Sequence, residues 1–348
     1  MTPLTLTSFS DLAALTVDTI IDVRAPAEFA EDHLPGAVNL PVLSDSERAE
    51  VGTIYTQNSP FTARKIGAAL VARNTARHLQ GPLADKSGDW QPLIYCWRGG
   101  QRSGSFATIL DQVGWRVNLL KGGYRSYRRL VVATLYDTML PHRITLIGGG
   151  TGTAKTRLLD HLHSIGAQVL DLEGLAQHRG SLFGARPEGQ PAQKMFETRL
   201  ITALGALNPA RMTFVEAESS KIGARIIPPA LWSMMGAAPR VEIAAPLSAR
   251  AKFLCRAYED LTEDHALLSA QIEKLRPFHS AEQIESWQHQ AMAGNWRQLA
   301  EGLIARHYDP TYQKSAARAA APLRRLALQD LSESSLAATA ERLCAELT

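Results

Sequence analysis

The stretch Ile144-Thr-Leu-Ile-Gly-Gly-Gly-Thr-Gly-Thr-Ala-Lys-Thr-Arg-Leu-Leu159 constrains the fold more than any other part of the chain. An apolar run dissolves into glycines and restarts with helical spacing, which demands a buried strand, a tight loop and a helix. Units of that kind build parallel sheets covered by helices, so the class is α/β. The loop Gly149, Gly150, Thr151, Gly152, Thr153, Ala154, Lys155, Thr156 follows the phosphate-binding pattern Gly-x4-Gly-Lys-Ser/Thr, with alanine in place of the last glycine. Backbone N–H groups in such a loop cradle phosphates, the lysine reaches the terminal ones and the hydroxyl can hold a metal. Ala154 adds a Cβ that narrows the loop or constrains its φ.

A second strand–loop–helix unit lies upstream. Leu93-Ile-Tyr delivers Cys96, then Trp97, Arg98, Gly99, Gly100, Gln101 and Arg102 turn into a helix expected from about Arg102-Ser103 to Leu110. A thiol at the mouth of a helix, among amides and guanidinium groups, has a lowered pKa and can act as a nucleophile.

Two such units in 348 residues argue for two domains, and 45% hydrophobic with 20% charged residues is an ordinary globular composition. The net charge of +3 permits a local nucleic-acid patch without demanding one. Cys96, Cys255 and Cys344 show neither disulfide nor metal-ligand spacing, which points to a reducing cytoplasm. The N-terminus does not read as a signal peptide, and no apolar run approaches the ~20 residues of a membrane span.

Between and around the two loops, Thr19–Asp22 reads as a strand, Pro26 opens a helix, Ala37–Leu40 is a strand, and Ser44-Asp-Ser-Glu47 caps a helix. The strand expected at Trp115–Leu120 leads to Arg125, Arg128 and Arg129 interleaved with Tyr124 and Tyr127, either a solvated helix face or a nucleic-acid contact. Past the phosphate-binding loop, Gln168–Gly174 reads as a strand ending in Asp171 and Glu173. The polar segment from His178 and Arg179 to Gln193 is expected to line a site. The strand from Thr213 places Glu216 or Glu218 where a metal- or water-positioning acid belongs, the alternative being a helix cap. Residues 248–315 read as a helical insertion with Cys255 as a core residue and four scattered histidines. A strand at Leu326 and a capped helix to 348 close the domain.

The run Asp22-Val-Arg-x3-Glu-Phe-x3-His-Leu-Pro-Gly-Ala-x-Asn-Leu-Pro41, together with Cys96 at a strand-to-helix loop, resembles rhodanese domains. That resemblance implies a parallel-sheet domain over 1–130 carrying sulfur or selenium on its cysteine. Residues 131–142 would form a helical connector, and 143–348 the P-loop domain with its insertion. Tyr95-Cys-Trp-Arg-Gly-Gly-Gln-Arg-Ser103, Gly122-Gly-Tyr-Arg-Ser-Tyr-Arg128, Val169-Leu-Asp-Leu-Glu-Gly-Leu-Ala-Gln-His-Arg-Gly-Ser-Leu-Phe-Gly184 and Glu216-Ala-Glu-Ser-Ser-Lys-Ile-Gly223 resemble the bacterial tRNA 2-selenouridine synthases over nearly the whole chain. Ala154 and Ala217 depart from what such a P-loop domain is expected to carry.

The resemblance implies an enzyme that replaces the sulfur of wobble 2-thiouridine in tRNA with selenium from selenophosphate, through an S-geranyl intermediate made from geranyl diphosphate. Cys96 would take selenium as a perselenide and release phosphate, with Trp97 to Arg102 holding the oxyanion. Residues 149–156 would hold the diphosphate, with magnesium a possible companion and no tightly bound cofactor. Asp171, Glu173, His178, Arg179, Glu216 and Glu218 would form a second site, and Arg125, Arg128, Arg129, Arg179 and Lys221 would meet tRNA. Two alternatives stand beside it. The Cys-x5-Arg spacing also suits a cysteine phosphatase or arsenate reductase, and the P-loop a kinase or regulatory protein with an inert rhodanese module.

Overall fold

The computed structural model describes residues 1–317 and 320–347, and divides the chain into two compact units. The first comprises Met1–Thr138 with Pro191–Gly205, the second Met139–Gln190 with Ala206 onwards.

The first unit is built on five strands, β1 (Thr2–Leu4), β2 (Thr19–Asp22), β3 (Ala37–Asn39), β4 (Pro92–Tyr95) and β5 (Asn118–Leu120), in the order β1-β5-β4-β2-β3. Every pairing is parallel. All four residues of β4 are buried, as a central parallel strand covered on both faces requires. Ile21, Val23, Ile94, Phe106, Leu110 and Trp115 fill the core around it. Cys96 follows β4 directly and so sits at the carboxyl end of the central strand, where open parallel sheets gather their functional loops. The helix expected at Ser44 is present as Asp45–Gln57, with Ser44 and Glu47 forming a reciprocal capping box.

The helix Gln193–Ala206 also belongs largely to this unit, a placement that the sequence pattern gives no sign of. Its Lys194 pairs with Glu31 at 2.7 Å, and its Thr198 accepts a hydrogen bond from the Tyr127 hydroxyl at 3.1 Å. Its buried Glu197 takes the Arg128 guanidinium and the Tyr136 hydroxyl.

The second unit carries β6 (Arg143–Gly149), β7 (Gln168–Leu170), β8 (Met212–Glu216), the two-residue hairpin strands β9 (Lys221–Ile222) and β10 (Arg225–Ile226), β11 (Arg240–Ala244) and β12 (Arg324–Ala327). The main sheet runs β12-β11-β6-β8-β7, again all parallel. Helices from Leu247 to Ala316 interrupt it and form their own apolar cluster around Leu268, Ile272, Ile284, Trp287 and Leu299. β7 is shorter than the sequence suggests. Asp171 ends it by accepting the Gly174 N–H at 2.7 Å, so that Glu173 lies on the short helix Leu172–Ala176 and not on a strand. The last helix spans Glu333–Leu347; the expected end at 348 lies outside the described residues. No helix among the described residues is long and apolar enough to cross a membrane.

Candidate active sites

Cys96 is 3% exposed and reduced, held in a cradle of donors. Its Sγ accepts from the Ser103 hydroxyl at 3.0 Å and from the Gly100 N–H at 3.3 Å. Burial is the largest influence on the thiol and opposes ionisation. Hydrogen bonds from Ser103 and from the backbone at Arg98, with the charge of Arg102, outweigh it, and the thiol sits below its ordinary value.

The loop closes against the chain that follows β5. Cys96 O accepts the Tyr124 N–H at 2.8 Å and Trp97 O the Arg125 N–H at 3.1 Å. Gly123, at φ +58°, permits this approach, because a Cβ there would stand 2.2 Å from Cys96 O. Trp97, half-buried, lies 5.3 Å from the Tyr124 ring, and the Arg24 guanidinium stands 4.1 Å over the Tyr124 ring itself as a cation–π partner. Arg24 is itself buried and paired with Asp22 at 2.6 Å, the structural pair its position suggests.

Arg98, Gly100 and Gln101 are exposed at the loop surface, and Gly99 takes a left-handed φ of +66°. Arg102 is engaged elsewhere: its Nη1 donates to Glu28 Oε2 at 2.7 Å, and Glu28 also holds Arg48 at 3.0 Å. The donors that reach Sγ are therefore an amide and the Ser103 hydroxyl, with Arg102 contributing charge from the side. Ser103 escapes the motif reading, although its position one residue into the helix past Arg102 is the visible signal.

The basic helix Gly123–Val132 presents its arginines unequally. Arg129 is exposed and Arg125 half-buried, whereas Arg128 is bound to Glu197. Lys221 is exposed on β9.

In the second unit, β6 passes into the loop Gly149–Ala154 and the helix Lys155–Ser164. Gly149 and Gly152 have φ of +153° and +81°, and Ala154 adopts a left-handed φ of +59° with its Cβ packed in the core. The alanine therefore takes the conformation that a glycine would take more cheaply, at a cost of about 1–2 kcal/mol. Thr153 Oγ1 donates to Gly150 O at 2.8 Å, and Lys155 Nζ to Gly149 O at 2.9 Å. Arg250, a buried cation from the inserted helices, braces the loop. It donates to Thr151 O at 2.9 Å and pairs with Asp309 at 2.6 Å. The helix Leu247–Ala257 also carries Lys252 and Arg256, so its sequence does not single Arg250 out.

Thr156 Oγ1 donates to Glu216 Oε1 at 2.8 Å and approaches Glu173 Oε2 at 3.2 Å. Burial and the charge of Glu218 push Glu173 up to about 8. Glu216 is raised by burial and by Glu173, and Glu218 chiefly by burial, against the pull of Lys155. Gly180 packs on this group, since a Cβ there would come within 2.4 Å of Glu173 Oε1 and 2.9 Å of Glu218 Oε2. His178 is buried and held below its usual value by burial and by Arg186 and Arg179. Arg179 pairs with Asp260 at 2.9 Å and lies 4.7 Å from the Tyr258 ring centre. The segment thus joins the acidic group to the inserted helices. Among the described residues, no three His, Cys, Asp or Glu side chains are arranged to hold a metal by themselves. Cys255 is half-buried on a cleft wall and not in the closed core. Two of the scattered histidines, His279 and His307, meet at 3.1 Å.

Residues 142–339 match the family described as tRNA 2-selenouridine synthase AAA domain, and residues 6–130 the rhodanese-like domain. A tRNA 2-selenouridine synthase of Aeromonas salmonicida is 38% identical over 74% of this chain and 69% of its own length. One from Pseudomonas syringae pv. syringae is 30% identical over 87% of this chain and 90% of its own. Among solved structures, the N-terminal domain of a putative ATP/GTP-binding protein from Clostridium difficile 630 is 36% identical, covering 38% of this chain and 99% of that one, with a TM-score of 0.32.

Proposed function

The chain belongs to the tRNA 2-selenouridine synthase family, and from that premise we propose that it converts wobble 2-thiouridine of tRNA to 2-selenouridine in two steps, with geranyl diphosphate and selenophosphate as co-substrates. The observation that carries the reading is the Cys96 thiol, buried, donor-cradled and held below its ordinary pKa, in a chain that also carries a P-loop-like turn with Ala154 in place of its last glycine.

In the first step the thione sulfur attacks C1 of the geranyl group. The C–O bond breaks with its electron pair leaving on diphosphate, and the N3 proton is released. The loop amides of 149–154 and Lys155 neutralise the charge that grows on the leaving diphosphate. Thr156 and Glu216 carry the hard oxygens that would hold a magnesium ion, once Glu216 gave up the proton that burial favours. A bound magnesium would add Lewis-acid assistance to diphosphate departure.

In the second step selenide adds to C2 of the alkylated base and expels geranyl thiol, a better leaving group than an unalkylated sulfur. Electron counting constrains how Cys96 supplies that selenide. Selenium in selenophosphate is already at the selenide level, so a perselenide on Cys96 forms only if an oxidant removes two electrons. Attack of the thiolate at phosphorus needs no oxidant: it expels hydrogen selenide, and water then frees phosphate from sulfur. The cradle of amides and the Ser103 hydroxyl suits the oxyanions of that phosphorus centre.

The bound tRNA is held by its phosphates, with Arg125, Arg129 and Lys221 as the available cations. Lys155→Ala tests the division of labour. Geranylation of thiolated tRNA should fall by roughly a hundredfold or more, while selenium incorporation into pre-geranylated tRNA persists. Geranylation at the unsubstituted rate contradicts the assignment of the P-loop.

A further inference from the structure

The phosphate loop opens onto a second feature that neither motif accounts for. An open cleft runs from Thr151 into the inserted helices. Its wall is almost wholly apolar, formed among others by Leu254, Cys255, Leu268, Trp296 and Leu303. Leu268 and Leu303 are buried, but Cys255, Thr262, Trp296 and Ala300 keep part of their surface in solvent, so the cleft is open and not a sealed core void. Its link to the loop is direct. Gly152 packs so tightly on the helix carrying Leu254 that a Cβ there would come within 3.0 Å of Leu254 Cγ. Near the rim the Tyr258 hydroxyl is bound to Ser181 at 3.0 Å, and one arm of the Arg179 guanidinium pairs with Asp260.

A phosphate-binding loop continuous with an open apolar cleft fits a ligand with a charged diphosphate head and a hydrocarbon tail. Its almost wholly apolar wall suits hydrocarbon better than the polar edges of a base or sugar. We propose that this cleft is the tail subsite of the isoprenoid diphosphate, with the Leu254–Cys255 wall and the Trp296–Ala300 wall reading the bulk of the chain. The inference rests on the P-loop reading above and deepens it. Head and tail then contribute separately to affinity, the tail through apolar surface removed from water.

The test separates them. Binding of inorganic diphosphate and of geranyl diphosphate is measured by equilibrium dialysis on the full chain and on Ala300→Trp, which fills the cleft without touching the loop. Geranyl diphosphate should bind the unsubstituted protein at least about tenfold tighter than diphosphate. Ala300→Trp should abolish that advantage and leave diphosphate binding unchanged. A second measurement needs no variant: geranyl diphosphate, but not diphosphate, should slow alkylation of Cys255 by N-ethylmaleimide, followed by peptide mass spectrometry. If diphosphate binds but the geranyl chain adds nothing, the tail subsite is overturned and the loop assignment stands. Undiminished tail affinity in folded Ala300→Trp, or Cys255 equally reactive with and without geranyl diphosphate, also overturns the subsite. If neither ligand binds, the P-loop reading fails and the subsite falls with it.

Discussion

At Cys96 the decisive contact is the 3.0 Å hydrogen bond from Ser103, because it stabilises the thiolate against a burial that opposes it. Removing it in Ser103→Ala should raise the thiol pKa. The inflection in the pH dependence of Cys96 alkylation by iodoacetamide then moves to higher pH, and an unmoved inflection would show that the loop amides alone set the value. Arg102 illustrates how far a motif can be read. The Cys-x5-Arg spacing is visible in the sequence, but the guanidinium is committed to Glu28 at 2.7 Å. A phosphatase needs that side chain for its substrate phosphate. Cys96, Lys155 and Thr156 are legible because glycines and an apolar strand announce the turn that presents them. Ser103 and Arg250 are not: Ser103 is marked only by its place next to Arg102, and Arg250 shares its helix with Lys252 and Arg256.

Elements were legible where they obeyed one period and one partner. The parallel strands and the capped helix at Ser44 follow from apolar runs and a capping box. The helix Gln193–Ala206 is different: its apolar face says that it is buried, not which unit buries it. Its Glu197, 1% exposed, anchors Arg128, Tyr136 and Gln193. Glu197→Ala should therefore destabilise the first unit by about 2 kcal/mol, reading a buried pair discounted for the partial exposure of Arg128, as measured by urea denaturation. Arg128→Glu should do the same by setting two carboxylates together. By contrast, Arg129→Glu should leave the urea midpoint in place and weaken tRNA binding with a shallower salt dependence. Equal effects of the two reversals on tRNA binding, with no loss of stability in either, would remove the distinction.

The acidic group beside the P-loop makes an element-scale prediction of its own. Glu173 has its pKa raised from its usual 4.5 to about 8, so between those values the folded protein holds a proton that the unfolded chain has released. Stability is then lost as pH rises through that window, the sign opposite to that of a salt-bridged carboxylate. Glu173→Gln should flatten the fall of the thermal midpoint between about pH 5 and pH 8. A slope unchanged by the substitution would place the burial cost on Glu216 or Glu218 instead.

On the scale of the whole molecule, the chain joins two strand–loop–helix units of different chemistry. One presents a thiol held below its ordinary pKa by hydrogen-bond donors; the other presents a lysine, a threonine hydroxyl and buried acids next to an apolar cleft. The family was legible from a few long motifs. The cleft was not, because its wall is assembled from helices far apart in sequence, each of which reads alone as ordinary core. Assigning alkylation to the second loop and selenium transfer to the first predicts that the two steps can be separated by one atom. The measurement is mass spectrometry of nucleosides from tRNA of cells whose only copy of the protein carries Cys96→Ser. 2-Selenouridine should disappear while S-geranyl-2-thiouridine accumulates; persistence of 2-selenouridine would rule out Cys96 as the group that delivers selenium.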